Sequence, residues 1–310
     1  MKLLNIVHAC ILYLLVLTES AKKVEVKETS LDSAVADIQW LGSDQKTVLL
    51  QTKRGRLYHS TNGGESWNDV TDKLKGNADD GQALLVDKII KSPADHNTVL
   101  VAGNRQSHFL STDGGETWRR VRQKATIHTF LFHHKRPKWA LLSTWTDACT
   151  PTLYQRKPRK KSNNDDDDDN GDKEAADDEG AEPEGPCTHK LYITKDMGRT
   201  FTLVSSYVVQ FSWGDVSHNQ EDRIYFTHYR QKTGDQQKLH VWSENVDFAY
   251  TDNSGRAVHR LMYMGNKFLV THGFIMVVKL KDRVSQTVNL MISYDGGMQF
   301  HQAPYSESYY

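Results

Sequence analysis

Three aspartates at equivalent places in a repeated phrase are the residues of this chain that most resemble a catalytic set. They are Asp113, Asp196 and Asp295. Two carboxylates on either side of a glycosidic bond can act as acid and base, or as acid and nucleophile, in glycoside hydrolysis. Each aspartate, however, belongs to a different copy of the phrase, so we expect the three at separate outer turns. We therefore predict a structural role for them and no catalytic residue.

The phrase itself has the chemistry of a tight hairpin. Residues 60–67, 111–118, 194–201 and 293–300 each contain a hydroxyl residue, Asp or Asn at the third place, glycine at the fifth and an aromatic residue at the eighth. The short side chain can accept hydrogen bonds from backbone N–H groups, glycine supplies a positive φ, and the aromatic residue carries apolar area into the core. The predicted structural positions are Ser60, Asn62, Gly64, Trp67, Ser111, Asp113, Gly115, Trp118, Thr194, Asp196, Gly198, Phe201, Ser293, Asp295, Gly297 and Phe300.

The phrase is similar to the Asp box of β-propeller proteins, and its spacing predicts an architecture. The copies recur about every 50 residues once a polar insertion is set aside, with a double gap before the last. A degenerate copy of the phrase is therefore expected near residue 243, with a third strand at 239–242, Asp247 in the turn and a fourth strand at 248–250. Short β-branched and aromatic runs fill each repeat, so we predict an all-β fold, a β-propeller with about five four-stranded blades. A β-sandwich is the alternative, and regular spacing argues against it.

Two cysteines flank the polar insertion and could form a disulfide. They are Cys149 and Cys187. In an oxidising compartment a bridge at the foot of a long loop limits the freedom of that loop, so we predict this disulfide. Zinc is not expected, because no paired Cys or His at ligand spacing accompanies either residue.

The insertion at 156–186 begins basic and then becomes strongly acidic. Such a composition cannot bury enough apolar area to fold, so we expect it to be disordered. Residues 166–177 also match the ligand order of an EF-hand calcium loop. Against calcium, Asp177 stands where Glu is usual, Lys173 takes an apolar place, and no helices flank the loop. We expect a solvated loop, and neither a metal nor a cofactor in this protein.

The N-terminus indicates the compartment. Residues 1–20 have a basic start, an apolar run and small residues before the cleavage point, the pattern of a secretory signal peptide. Residues 21–33 are a lead-in, and the propeller is expected over 34–310. We predict a lumenal location in the secretory pathway. Because no other stretch could cross a bilayer, membrane anchoring is expected only from sequence beyond residue 310.

Charge and motifs exclude other classes of function. Lys and Arg number 39, as do Asp and Glu, so no global field favours nucleic acid or an anionic membrane, and no nucleic-acid partner is expected. There is no G-x-S-x-G elbow, no phosphate-binding glycine loop and no H-E-x-x-H. His133 and His134 stand in a basic stretch that we expect to be a turn between strands.

Sialidases also contain Asp boxes and are the enzyme alternative. Their active site resembles a cluster of three arginines near the propeller axis, with an Arg-Ile-Pro start and a Tyr–Glu nucleophile pair. No Arg-Ile-Pro occurs in this chain, and the single Arg-Pro, Arg136-Pro137, stands in a different setting. We therefore predict that the protein is not an enzyme.

Over roughly residues 34–300 the chain resembles the sortilin and vacuolar protein-sorting receptor family. The likeness rests on the order of the boxes, the stretch 86–101 ahead of the second box, and the Cys149…Cys187 loop ahead of the third. Residues 187–198 look especially like the fungal vacuolar receptors. The combination of spacing, insertion, cysteine loop and signal peptide is much more specific than the boxes alone.

The resemblance implies a lumenal, non-catalytic receptor domain that binds soluble proteins or propeptides as cargo for transport from the Golgi to endosomes, vacuole or lysosome. Family members fold as ten-bladed propellers followed by a cysteine-rich module, a membrane span and a cytosolic tail, so five blades would be half of such a propeller. The family's best-defined peptide pocket resembles a site built at or beyond Asp295. No ligand-binding residue of this chain is therefore assigned.

A half-propeller would expose apolar blade faces at its two ends, and exposed apolar patches promote self-association. Five blades could instead close on themselves, as in some small lectins. That possibility makes a secreted carbohydrate-binding module the remaining alternative.

Overall fold

The computed structural model describes residues 26–74, 84–103, 107–123, 125–149, 186–232 and 242–304. The chain divides into two compact units. In the first, residues 1–32, the described part has no helix or strand, and the second, residues 33–310, contains every strand given below. The predicted signal peptide, residues 156–185 of the polar insertion with the calcium-loop pattern, and residues 239–241 lie outside the described residues.

The second unit is all-β, and its strands form five four-stranded antiparallel sheets. Each sheet consists of four strands that are consecutive in the chain, which is the arrangement of propeller blades. The strands are β1 (Val35–Leu41), β2 (Thr47–Thr52), β3 (Leu57–Ser60) and β4 (Asn68–Asp69) in the first sheet; β5 (Val86–Lys91), β6 (Val99–Gly103), β7 (His108–Ser111) and β8 (Arg119–Val121) in the second; β9 (Thr126–Phe132), β10 (Ala140–Trp145), β11 (His189–Thr194) and β12 (Thr202–Ser206) in the third; β13 (Val208–Trp213), β14 (Ile224–Tyr229), β15 (Val246–Thr251) and β16 (His259–Met262) in the fourth; and β17 (Gly265–Thr271), β18 (Phe274–Asp282), β19 (Thr287–Ser293) and β20 (His301–Gln302) in the fifth. The helices of the described part are short 3-10 turns at Thr71–Leu74, Asp147–Cys149 and Val216–His218.

The predicted all-β propeller with five four-stranded blades is thereby confirmed. In every sheet the turn between the third and fourth strands follows a hydroxyl residue at the end of the third strand. The first strands of neighbouring sheets contact each other, β1 with β5 and β13 with β17, which makes them the strands nearest the propeller axis. Second strands of the inner sheets are buried on both faces: in β6, Val99 and Val101 belong to the cluster shared with the first sheet, and Leu100 belongs to the cluster shared with the third.

The fourth sheet differs from the prediction. Its third strand is Val246–Thr251 and its fourth is His259–Met262, so residues 248–250 belong to the third strand and Asp247 lies within it. The prediction of a degenerate box near residue 243 is therefore wrong. The loop that precedes this strand, residues 230–245, is longer than its counterparts in the first, second and fifth sheets, which moves the real turn about eight residues along the chain.

The hydrophobic core is divided into clusters that lie between successive sheets. One cluster joins the first and second sheets, and others join the second to the third, the third to the fourth and the fourth to the fifth. Representative buried members are Leu49 and Val101, Leu110 and Phe132, Leu191 and Phe226, and Phe248 and Ile275. Among the described residues none of these clusters joins the fifth sheet to the first.

Candidate functional site

The box turns share one hydrogen-bond pattern. The hydroxyl at the first place donates to the side-chain oxygen of the third residue at 2.7–3.0 Å and accepts the N–H of the fifth residue at 2.8–3.0 Å. The third residue also accepts the N–H of the seventh at 2.8–3.0 Å. Two side chains of the turn, the hydroxyl residue and the Asp or Asn, thus organise it from within, as ST and Asx motifs do.

One of these turns was missed from the sequence. Thr251 and Asn253 make the full set of bonds, with Gly255 at the fifth place and φ of 93°. Val258 stands where the other copies have an aromatic residue. The signal Thr-Asp-Asn-Ser-Gly was present, and Asn already serves at the third place in the first copy.

Each box turn after the first lies at the joint with the preceding sheet. A Cβ atom on Gly115 would be 3.1 Å from Leu49 of the first sheet, and one on Gly255 would be 2.4 Å from the carbonyl oxygen of Val204 in the third. Of the box aromatics, Trp118, Phe201 and Phe300 pack against the clusters shared with the preceding sheets. The turns therefore fix how consecutive blades meet.

The three aspartates lie in turns of the second, third and fifth sheets, and each is hydrogen-bonded within its own turn. Burial tends to raise the pKa of Asp196, but hydrogen bonds from Thr200, from Thr194 and from the N–H of Arg199 outweigh it and lower the pKa to about 2. Asp113 and Asp295 also have lowered pKa values. Carboxylates held ionised by their own turns are poor proton donors.

Cys149 and Cys187 form the predicted disulfide, with their Cα atoms 4.5 Å apart. The N–H of Cys149 donates to the Thr146 carbonyl at 2.8 Å, and the N–H of Thr188 donates to the Thr146 hydroxyl at 2.9 Å. Trp145 stacks on His189 close by, with ring centroids 4.5 Å apart. The bridge thus closes the insertion against the paired ends of β10 and β11.

The turn between β9 and β10 is held to the fourth sheet by charges. Arg136 donates two hydrogen bonds to the carboxylate of Asp222, at 3.1 and 2.9 Å, and the Lys135 ammonium lies 3.0 Å from Glu221. His133 is fully buried behind these pairs, and its Nε2 lies 3.2 Å from Asp222. Its Nδ1 accepts the N–H groups of Lys135 and Arg136, so the proton of the neutral ring is on Nε2. Burial lowers the pKa of His133 to about 4.

A groove of about 600 Å³ lies where the first strands of three successive sheets end. These strands are β9, β13 and β17, which end at Phe132, Trp213 and Thr271. We call this feature the axial groove, and its apolar lining includes Leu131, Phe132, Trp213, Val216 and Val270. Its volume is in the range of ordinary ligand pockets.

Polar groups of the axial groove come from two turns that meet across it. Asp215 accepts the N–H of Ser217 at 2.7 Å and the N–H of Gly273 at 3.1 Å. His218 lies 2.8 Å from the carbonyl oxygen of Gly273 through its Nε2. The two bonds to Gly273 hold the turns of the fourth and fifth sheets together, so the groove is a built feature. No sequence pattern had singled it out.

Within the ranges that the structure describes, no group of three or more His, Cys, Asp or Glu side chains is placed to hold a metal ion. In the same ranges no helix has the length and apolarity needed to cross a bilayer.

Comparison with known proteins adds a family and several relatives. The family model for Sortilin-Vps10, described as sortilin, neurotensin receptor 3, matches residues 55–309. The chain is similar to the vacuolar protein sorting/targeting protein 10 of Neosartorya fischeri, with 30% identity over 128 residues, which is 40% of this chain and 8% of that protein. The counterpart from Phaeosphaeria nodorum is 27% identical over 94 residues, 30% of this chain and 6% of that protein. The matched part is thus less than a tenth of the length of these relatives.

The solved structures that match this chain have low sequence identity to it and TM-scores below 0.5. An uncharacterized protein from Listeria monocytogenes EGD-e gives a TM-score of 0.46 at 11% identity, covering 90% of this chain and 69% of that one. An ancestral GH74 enzyme gives a TM-score of 0.41 at 14% identity, and the match covers 87% of this chain and 31% of that one.

Proposed function

Because the chain belongs to the sortilin–Vps10 family, we propose that it is the lumenal part of a sorting receptor that binds soluble proteins or their propeptides as cargo. The observation that carries the proposal is the family match over residues 55–309, which includes all five box turns. The route of transport, from the Golgi to endosomes, vacuole or lysosome, belongs to the same proposal.

Two features support a lumenal place for this domain. The N-terminal residues have the pattern of a secretory signal, and the Cys149–Cys187 disulfide suits an oxidising compartment. Compartments of the secretory pathway satisfy both conditions.

A non-catalytic role is supported by the state of the carboxylates. The aspartates of the boxes, which are the best candidates for hydrolytic chemistry, are hydrogen-bonded within their own turns, and those turns belong to different sheets. Binding to a protein partner demands instead a broad surface with apolar recesses, and the axial groove is such a recess.

The proposal is tested by binding with purified components. The secreted full-length chain is immobilised and exposed to soluble lumenal proteins from the same cells, and each retained protein is then purified and titrated against the chain. We expect saturable binding of one or more hydrolases or propeptides, unchanged by free monosaccharides. Retention of glycans alone would favour the lectin alternative, and hydrolysis of a fluorogenic sialoside would favour the sialidase; either result would contradict the receptor.

A further inference from the structure

The axial groove contains a polar group that the fold leaves unsatisfied. His134 lines the groove, and its Nε2 is out of contact with solvent yet has no hydrogen-bond partner among the described residues. Buried side-chain nitrogens in folded proteins nearly always have a partner. Because this nitrogen is closed to solvent, it is also closed to a molecule bound in the groove, so His134 contributes contact area there and no hydrogen bond through Nε2.

The groove lining contains one carboxylate and two histidines, His134 and His272. Asp215 is the carboxylate of its lining, which contains neither lysine nor arginine. Burial tends to raise the pKa of Asp215, but the hydrogen bonds from Ser217 and from the N–H of Gly273 outweigh it and lower the pKa. The group is therefore ionised at the pH of the secretory pathway. Each of its oxygens can accept a second hydrogen bond, so it remains available to a cation.

The apolar part of the groove fits a side chain rather than a sugar ring. Trp213 is only 5% exposed, because His133 packs edge-on against it with ring centroids 4.5 Å apart. An aromatic ring buried in this way forms the floor of a recess and not a flat platform for a sugar. Val216 stands at the rim with 44% of its surface exposed. Floor and rim together can bury about one bulky aliphatic or aromatic side chain.

We propose that the axial groove binds an extended segment of a soluble protein in which a bulky apolar residue stands next to a lysine or arginine. The apolar side chain lies over Trp213, and the cation pairs with Asp215. This site deepens the proposed function, on which it rests, by naming the chemistry of the cargo segment.

The test measures fluorescence anisotropy of the full-length chain with fluorescein-labelled, end-blocked peptides. The reference peptide is Gly-Ser-Lys-Leu-Gly-Ser, and the comparison peptides replace Lys by Glu or Leu by Ser. We expect each replacement to weaken binding at least tenfold. Asp215→Asn should remove the preference for Lys over Glu, because the carboxylate is the partner of the cation.

A second pair of variants keeps the test independent of folding. Val216 and Val258 are exposed to nearly the same extent, 44% and 43%, but Val258 lies in a box turn away from the groove. Val216→Lys should weaken binding of the reference peptide at least tenfold, and Val258→Lys should leave this binding unchanged. Equal binding by the two variants, or no binding of the reference peptide by the wild-type chain, would overturn the groove proposal. If the wild type and Val216→Lys then bind purified lumenal cargo equally well, the receptor function stands without the groove; if the wild type binds no cargo, the function itself fails.

Discussion

Gly255 of the fourth sheet lies against Val204 of the third, so close that a Cβ atom on Gly255 would be 2.4 Å from the Val204 carbonyl oxygen. Gly64 holds the same place in the first box turn, with φ of 97° against 93° for Gly255. A Cβ atom on Gly64 would meet only the ring of Trp67 in its own turn. The two glycines thus share a backbone conformation and differ in whether another sheet is near.

Gly255→Ala is therefore expected to destabilise the protein more than Gly64→Ala. Both substitutions strain a residue with positive φ by about 1–2 kcal/mol, and Gly255→Ala also forces two sheets apart, which adds about 1–3 kcal/mol. Urea unfolding of the two variants and the wild type measures the difference. Equal losses of unfolding free energy would show that the box turn does not set the joint between blades.

The disulfide is expected to stabilise the protein by about 2–4 kcal/mol, because it closes a long loop in the unfolded chain. The sequence separation of the two cysteines is 38 residues. A Cys149→Ala, Cys187→Ala double variant should lose this amount in denaturant unfolding. Reducing agent should lower the stability of the wild type equally and leave the double variant unchanged. A double variant as stable as the oxidised wild type would contradict the prediction.

Stability should fall as the pH decreases from about 6.5 to about 4. Burial lowers the pKa values of His133 and His189 to about 4, whereas in the unfolded chain they are near 6.5. Within this window the unfolded state binds more protons, so acid favours unfolding by up to about 3 kcal/mol for each group. The box carboxylates act at lower pH, since the pKa of Asp196 is about 2.

The pH effect is measured by urea unfolding at pH 7, 6, 5 and 4. His189→Gln retains an N–H that can replace the bond of His189 Nδ1 to the Val208 carbonyl, 2.8 Å in the wild type, but it does not titrate. It should reduce the dependence on pH, whereas His301→Gln, at an exposed position of β20, should not. Stability that does not change between pH 7 and pH 4 would refute the assignment of buried neutral histidines.

Much of the fold follows from the sequence because the box is a local device. The hydroxyl, the Asp or Asn and the glycine act within a few residues of each other, so each turn can be identified without its neighbours. The copy at Thr251 escaped prediction because Val258 replaces the aromatic residue and a longer loop shifts the spacing. Its hydrogen bonds show that the aromatic residue is dispensable for the turn.

The groove could not be predicted because distant parts of the chain build it. Phe132, Trp213 and Thr271 lie in three different sheets, and only the stacking of successive blades brings their strand ends together. The same holds for His133 and Asp222, which come from turns of different sheets. Periodicity gives the number of blades but not which side chains meet at their ends.

Self-association is expected through the outer face of the fifth sheet, with a second copy of the chain as the partner. Met276 lies between Leu269 and Ile292 across three adjacent strands of this face. Leu269 and Tyr294 are 52% and 59% exposed, whereas Tyr225 on the corresponding face of the fourth sheet is fully covered by the fifth. An apolar sheet face of this kind gains free energy when a partner covers it.

Sedimentation velocity over a range of concentrations measures this association. A Leu269→Lys, Tyr294→Lys double variant should stay monomeric where the wild type forms larger species. Val284→Lys, at a turn position that is 93% exposed, is the matched control and should behave as the wild type. A wild type that stays monomeric throughout would contradict the prediction.

Binding of soluble protein cargo is tested most directly by calorimetric titration. The full-length chain is titrated with the purified propeptide of a soluble hydrolase from the cells that produce the chain. We expect saturable binding with a Kd of about 1 µM or tighter, corresponding to about −8 kcal/mol, and no change in an excess of free monosaccharides. The assignment would be contradicted if the preparation bound none of these propeptides and instead bound glycans or cleaved a sialoside.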